Sequence, residues 1–265
     1  MKTCNVLVIF ALAVSLLHSL PAHADQLALT PVQDTTLIEE NPNYANGAGS
    51  SLFIGNIATG TSRRLLLKFD LSTIPPGSQI TGATLRFLIN KGARNAGIDD
   101  TAALHRVTAA WGEGTSSTPG GGGDQASPMD ATWLYRFYGG GNVTQQAWSA
   151  AGGDFVAIAS SSVTIGSIGY YQIPTTPQLI ADLQLWLTNP ANNFGWIMLG
   201  PEDGQQDARR ITSRESSSNP DRPTLTVTFT PPSSTDADVP LPLWSLGLLG
   251  MGLMGLLRRK SAALS

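Results

Sequence analysis

Polar and apolar residues alternate strictly through Thr224-Leu225-Thr226-Val227-Thr228-Phe229, which predicts a strand with its apolar side chains on one face. The same period of two runs through Ile80–Asn90, with Ile80, Ala83, Leu85, Phe87 and Ile89 in phase, and through Ala102–Thr108 and Phe155–Ile165. Arg63–Phe69 is dense enough in leucine to be a strand buried on both faces. Shorter strands are predicted at Gln26–Leu29, Asp34–Ile38, Ser51–Ile54, Thr132–Tyr138, Tyr170–Ile173 and Phe194–Leu199. Between them, residues 41–50, 55–62 and 115–130 are rich in Gly, Pro, Asn and Ser and lack periodicity, which makes them turns and a long surface loop. Helical spacing occurs once, at Leu179, Ile180, Leu183, Trp186 and Leu187. Thr175 or Thr176 can cap that helix, Pro177 suits its first turn and Asn189-Pro190 stops it, giving a span of about 176–188. About ten short strands without a βα alternation predict an all-β domain, an antiparallel jelly-roll β-sandwich with one short amphipathic helix, over residues 25–230.

Both ends depart from this pattern. Lys2, an apolar run from Val6 to Leu20 and the small-x-small triplet Ala22-His23-Ala24 form an expected signal peptide over residues 1–24, cleaved after Ala24. At the other end, residues 239–257 are uncharged and precede Arg258-Arg259-Lys260. At about 1.5 Å per residue this stretch reaches roughly 28 Å, enough for a transmembrane helix. The basic triplet predicts a cytoplasmic tail over residues 258–265, and Pro231–Asp238 is a linker holding the domain off the membrane. Val239-Pro240-Leu241-Pro242-Leu243-Trp244, followed by the helix and the basic triplet, resembles the C-terminal sorting tails of the PEP-CTERM, VPxxx and IPTL groups. That resemblance implies a sorting protease as partner and a cell-surface or secreted destination; a plain membrane anchor is the alternative.

Charge and cysteine usage narrow the partners. Four of the sixteen Lys and Arg (Lys2, Arg258, Arg259, Lys260) lie in the two ends, leaving twelve against nineteen acids over residues 25–238, a net charge near −7. Nucleic acid is not an expected partner, because phosphate neutralisation needs clustered cations. The one cysteine, Cys4, leaves with the signal, so the exported domain rests on its core without disulfides.

Several stretches together resemble the DNRLRE-type modules grouped with carbohydrate-binding modules. They are Asp34-Thr35-Thr36, Asn43–Gly47, Arg64–Leu71, Ile80–Arg86, Val107–Glu113 with Trp111, Trp148 with Gly152–Phe155, Asn193–Trp196, Ser213-Arg214-Glu215 and Arg222–Val227. The resemblance spans nearly the whole of residues 25–230. It implies a β-sandwich of the kind attached to polysaccharide-degrading enzymes, with glycan binding in part of the family.

Candidate chemistry follows residue type. His105 is the only histidine after Ala24, which leaves no Cys-His site and no His/Cys zinc site; on its strand face a packed side chain is expected. Glu113, Asp130, Glu202, Asp203, Asp207 and Glu215 lie near strand ends, but no spacing selects a catalytic pair of carboxylates. Arg214 and Glu215 are expected to form a structural ion pair tying the last strand to its neighbours. Sugar binding needs aromatic faces beside polar groups, and Trp133, Tyr135, Arg136, Tyr138 and Trp148, flanked by glycine-rich loops, are the candidates. Tyr138 and Trp148 stand out. Calcium would need six to eight oxygen ligands, to which Asp34, Glu39 and Asn46 can contribute.

The expected function is a non-catalytic, surface-sorted module binding extracellular or envelope polysaccharide. A structural protein of the matrix or biofilm and a polysaccharide hydrolase or lyase are the alternatives.

Overall fold

The computed structural model describes residues 24–92 and 99–232. The expected signal peptide up to residue 23, most of the expected linker, and the expected transmembrane helix and basic tail lie outside the described residues. Among the described residues no helix is long and apolar enough to cross a membrane.

Fifteen strands and one α-helix make up the described chain: β1 (Asp25–Leu29), β2 (Gln33–Ile38), β3 (Tyr44–Ala45), β4 (Ser51–Asn56), β5 (Ser62–Lys68), β6 (Gln79–Gly92), β7 (Asp100–Arg106), β8 (Asp124–Gln125), β9 (Tyr135–Phe137), β10 (Gln146–Ala147), β11 (Ser161–Ile165), β12 (Gly169–Ile173), α1 (Pro177–Thr188), β13 (Trp196–Leu199), β14 (Arg209–Thr212) and β15 (Thr224–Thr230). Eleven strands form one curled antiparallel sheet in the order β1-β15-β6-β14-β4-β5-β13-β7-β11, with β12 also on β6 and β2 also on β5.

The sheet turns its corner at β4. Residues Ser51–Ile54 pair with β14, whereas Gly55 and Asn56 pair with β5, so one strand serves both halves. Gly55 has φ 86°, in the left-handed region, and a Cβ there would stand 2.6 Å from Asp207 Oδ1. Glycine permits the bend that lets the two halves face each other. Leu85, Phe87, Leu225, Val227 and Ile211 from one half meet Leu65, Leu67, Leu104, Trp196 and Met198 from the other in a continuous core.

The β2–β5–β13–β7 half is covered on both sides. Leu65 and Leu67 point into the main core, while Leu66 points to the opposite face and packs with Leu37, Ile197, Trp111, Trp133 and Trp148. Residues 107–155 fold back over that outer face, which explains why β5 carries three consecutive leucines: side chains of either parity are buried.

The helix forms where its spacing predicts. Thr176 is the cap, its hydroxyl accepting Leu179 N–H at 3.0 Å, and Pro177 takes the first turn. Its buried side includes Leu179, Leu183, Trp186 and also Asp182. That carboxylate is satisfied by Ser160 Oγ at 2.5 Å, Trp196 Nε1 at 3.0 Å and Arg106 Nε at 3.1 Å.

Two predicted strands are shorter than their sequence pattern. Only Tyr135–Phe137 of residues 132–138 is a strand, and only Ser161–Ile165 of residues 155–165. Trp133 and Leu134 of the first segment and Phe155 of the second pack onto the outer face of the β5 half, so the chain follows that surface there rather than a ladder. Fifteen strands against about ten expected reflects three two-residue strands in the loops, β3 with β8 and β10 with an end of β9, together with the unexpected four-residue β14.

Candidate functional site

Three neighbouring strands bring a cation–aromatic row to the outer side of the sheet. Arg210 of β14 stands directly opposite Phe53 of β4 on one side and Lys91 of β6 on the other. Directly opposed residues in an antiparallel pair have Cβ atoms about 5 Å apart and share a face. Arg209 and Ile211 point the other way and are fully buried, which leaves Arg210 on the solvent side. Arg63, at the edge of the row, lays its guanidinium 5.3 Å from the centre of the Phe53 ring and donates to Gly121 O at 3.1 Å. It also pairs with Glu40.

The 115–130 loop forms the wall of this site. Asp130, fully buried, accepts Thr115 N–H at 2.8 Å and Ser127 N–H at 2.7 Å and also bonds the Ser116 hydroxyl, so one carboxylate gathers both ends of a loop that has no strand period. The loop comes down onto Phe53 at Gly121, where φ is 79° and a Cβ would lie 2.3 Å from the ring. Only glycine fits that approach. The result is an open cavity of about 280 Å³ lined by Phe53, Arg63, Lys91, Gly121, Gln206 and Arg210. Arg210 is steadied by Asn90 Oδ1 at 2.6 Å from its Nε. A planar apolar ring beside guanidinium and ammonium groups suits a ligand with a flat hydrocarbon face and anionic substituents.

The aromatic residues expected to stack on sugar fall elsewhere. Trp148 is 5% exposed and Trp133 8%, both inside the outer-face core. Trp148 Nε1 donates to Thr132 O at 2.9 Å, and Arg64 lies 4.7 Å over the Trp133 ring. Neither presents a free face, a correction whose cause is the folding back of residues 107–155. Tyr135 and Tyr138 are half-buried and meet edge to face at 5.9 Å. Arg136, also half-buried, donates to Ala110 O at 3.1 Å. His105 is packed as expected, its Nδ1 3.0 Å from Val156 O and its ring edge to face with Phe155 at 5.4 Å.

Arg214 and Glu215 do form an ion pair, at 2.9 Å, within a larger cluster. Arg214 also holds Glu113 with two bonds of 2.7 Å, from Nε and Nη2. Its backbone N–H donates to Asp34 Oδ2 at 2.8 Å, and Asp34 N–H donates to Glu113 Oε1 at 2.7 Å. Asp34, Glu113 and Glu215 thus converge, with ligand-capable oxygens all within 4.8 Å of one another. Burial, reinforced by the charges of Glu215 and Glu113, raises the Asp34 carboxyl well above the usual carboxylate range, against a lowering by the Arg214 N–H. The bonds to Glu113 raise Arg214 further. Of the three residues expected to hold calcium, only Asp34 belongs to this cluster. Glu39 instead accepts Ser62 N–H at 2.5 Å, and Asn46 Nδ2 donates to Ser51 O at 2.7 Å.

Of the other acids near strand ends, Asp203 is exposed and, among the described residues, accepts only from Gln205, while Glu202 and Asp207 are engaged in the framework. Glu202 takes two bonds from Arg64, at 2.7 and 2.8 Å, and Asp207 accepts Asn56 N–H at 2.7 Å. Sequence reasoning missed Phe53, Arg63, Lys91 and Arg210 as a site. Phe53 and Arg63 lie on expected strands, but Lys91 follows the expected strand end at Asn90 and the charged Arg209–Thr212 segment shows no strand period, so neither β14 nor the order β6-β14-β4 is visible in the sequence.

The family model for carbohydrate-binding module family 96 matches residues 25–117, which include Phe53, Arg63 and Lys91 and stop before Arg210 and Arg214. No curated protein matches the chain. The match supports a carbohydrate-binding-module-like domain.

Proposed function

We propose that this chain is a non-catalytic module that binds an acidic polysaccharide along the Lys91–Arg210–Phe53 row. The carrying observation is the register that sets two cations and an aromatic ring side by side on three adjacent strands, beneath a glycine loop. The family match supplies the class of ligand, and the cations select uronate- or sulfate-bearing chains over neutral ones. The open form of the cavity, as the described residues make it, suits the interior of a long chain.

The domain's net negative charge makes such a local patch informative: it holds its cations against the average. The jelly-roll topology of the DNRLRE type is the fold this reading adopts for the curled sheet. Export past the apolar N-terminal run, with surface sorting through the 239–265 tail, belongs to the same proposal and rests on the sequence pattern alone. A sorting protease acting near Val239–Trp244 would then release or transfer the domain outward.

Affinity electrophoresis of the purified chain in gels cast with a polyuronate, a sulfated glycan or a neutral glucan tests the binding. Retardation by the anionic polymers, relieved in Arg210→Ala, is expected. Equal migration in all gels rejects the reading.

A further inference from the structure

The Asp34–Glu113–Glu215 cluster has more negative charge than its one cation balances. Among the described residues, three carboxyl groups face one guanidinium, a surplus of two negative charges when all three are ionised, which a single divalent cation would cancel. Hydrogen bonds leave two oxygens over. Asp34 Oδ2, both oxygens of Glu113 and Glu215 Oε1 all have donors. Asp34 Oδ1 and Glu215 Oε2 are buried and, among the described residues, accept from no N–H or O–H group, although the two carboxyls lie within hydrogen-bonding reach of each other. Asp34 is also fully buried, so water does not solvate its free oxygen from outside. Leaving a buried carboxylate oxygen without a partner is costly, and two in one cluster mark a position where something positive belongs.

We propose that Asp34, Glu113 and Glu215 bind one calcium ion, which fastens the start of the domain to its end. The donors are all oxygen, which fits a hard cation and excludes the soft-ligand metals. Two oxygens each about 2.4 Å from one calcium can be at most about 4.8 Å apart, and the cluster meets that limit. Glu113 is held in place by backbone packing: a Cβ on Gly47 would lie 1.8 Å from Glu113 O, so the 41–50 turn presses on this residue. The three ligands come from β2, from the turn after Trp111, and from the Ser213-Arg214-Glu215 segment before β15. A cation there ties three distant parts of the chain, and the site is separate from the Lys91–Arg210–Phe53 row.

The rival occupant of the gap is a proton shared between Asp34 and Glu215, and calcium titration separates the two. The full chain, stripped with EDTA, is titrated with calcium chloride by calorimetry and followed by thermal unfolding, for wild type, Asp34→Asn and Glu215→Gln. One equivalent of calcium bound, a Tm rise of several degrees on saturation, and at least a tenfold loss of affinity in either variant are expected. Absence of binding to wild type at millimolar calcium overturns the proposal, as does binding that both variants retain. If Asp34→Asn does not fold, Glu215→Gln decides, because its side chain is only half-buried.

Discussion

Arg214 grips Glu113 through two parallel bonds of 2.7 Å, Nε to Oε1 and Nη2 to Oε2, between residues 101 apart in the chain. The pair joins the turn after Trp111 to the segment that leads into the last strand. Two parallel bonds demand the planar fork of arginine, which lysine lacks. Arg214→Lys is therefore expected to destabilise the domain by about 1–2 kcal/mol, the worth of a charge-assisted bond reduced for the one-third exposure of Arg214. Urea unfolding checks this through a lowered midpoint at unchanged slope. A midpoint equal to wild type would make the grip ornamental.

Trp148 lies in the outer-face core, so its removal acts on stability. Trp148→Ala should cost about 3–5 kcal/mol by leaving a cavity and an unpaired Thr132 carbonyl. Trp148→Phe keeps the packing but loses the Nε1 bond, and a smaller loss is expected. Glycan affinity of the folded Phe variant, measured beside its urea midpoint, should equal that of wild type. A Phe variant as stable as wild type that no longer binds glycan would return Trp148 to the binding surface.

How far these features were legible in the sequence depends on the range of the interactions that make them. The strand 224–230 and the helix 177–188 follow from local alternation, a good cap and a proline stop, and the structure has them where the pattern puts them. The adjacency of Arg214 and Glu215 likewise announces an ion pair. Its third member, Glu113, is invisible because no period links it to residue 214. Trp133 and Trp148 show the opposite error. Aromatics beside glycine loops resemble a sugar platform, yet the loop that carries them closes over Leu66 and Ile197, and nothing local signals that second buried face. Arg209 and Arg210 differ only in parity. One is buried against Asp100 at 2.8 Å and the other lines the open cavity, a distinction that needs the strand register.

Asp207 predicts a pH effect. Burial raises its carboxyl above the usual range, partly offset by the Asn56 N–H it accepts. A raised folded-state pKa means that the folded protein binds the proton more tightly than the unfolded chain. Its contribution to stability therefore improves as pH falls from the raised value toward the ordinary carboxylate range, and worsens above it. Asp207→Asn removes that titration while keeping an acceptor for Asn56. Thermal unfolding should show the variant equal to or above wild type at pH 7, with the difference shrinking toward pH 4. A variant that loses stability at pH 7 and recovers it at pH 4 would reverse the sign.

Lys91 and Arg210 are expected to act together on an anionic chain. Removing either should lower affinity about tenfold, roughly 1.4 kcal/mol, and flatten the dependence of affinity on salt. Phe53→Ala should weaken binding without changing the salt dependence, since the ring supplies a face and no charge. Calorimetry of the three variants at low and moderate sodium chloride distinguishes these signatures. Identical salt slopes for Arg210→Ala and wild type would contradict the electrostatic role.

The most direct test of the acidic-polysaccharide reading is the calorimetric affinity of wild type and Arg210→Ala for one polyuronate, with far-UV circular dichroism confirming that both are folded. Saturable binding by wild type that falls at least tenfold in the variant is the predicted result. Equal affinity in the two proteins, or no heat from wild type at millimolar sugar, contradicts it.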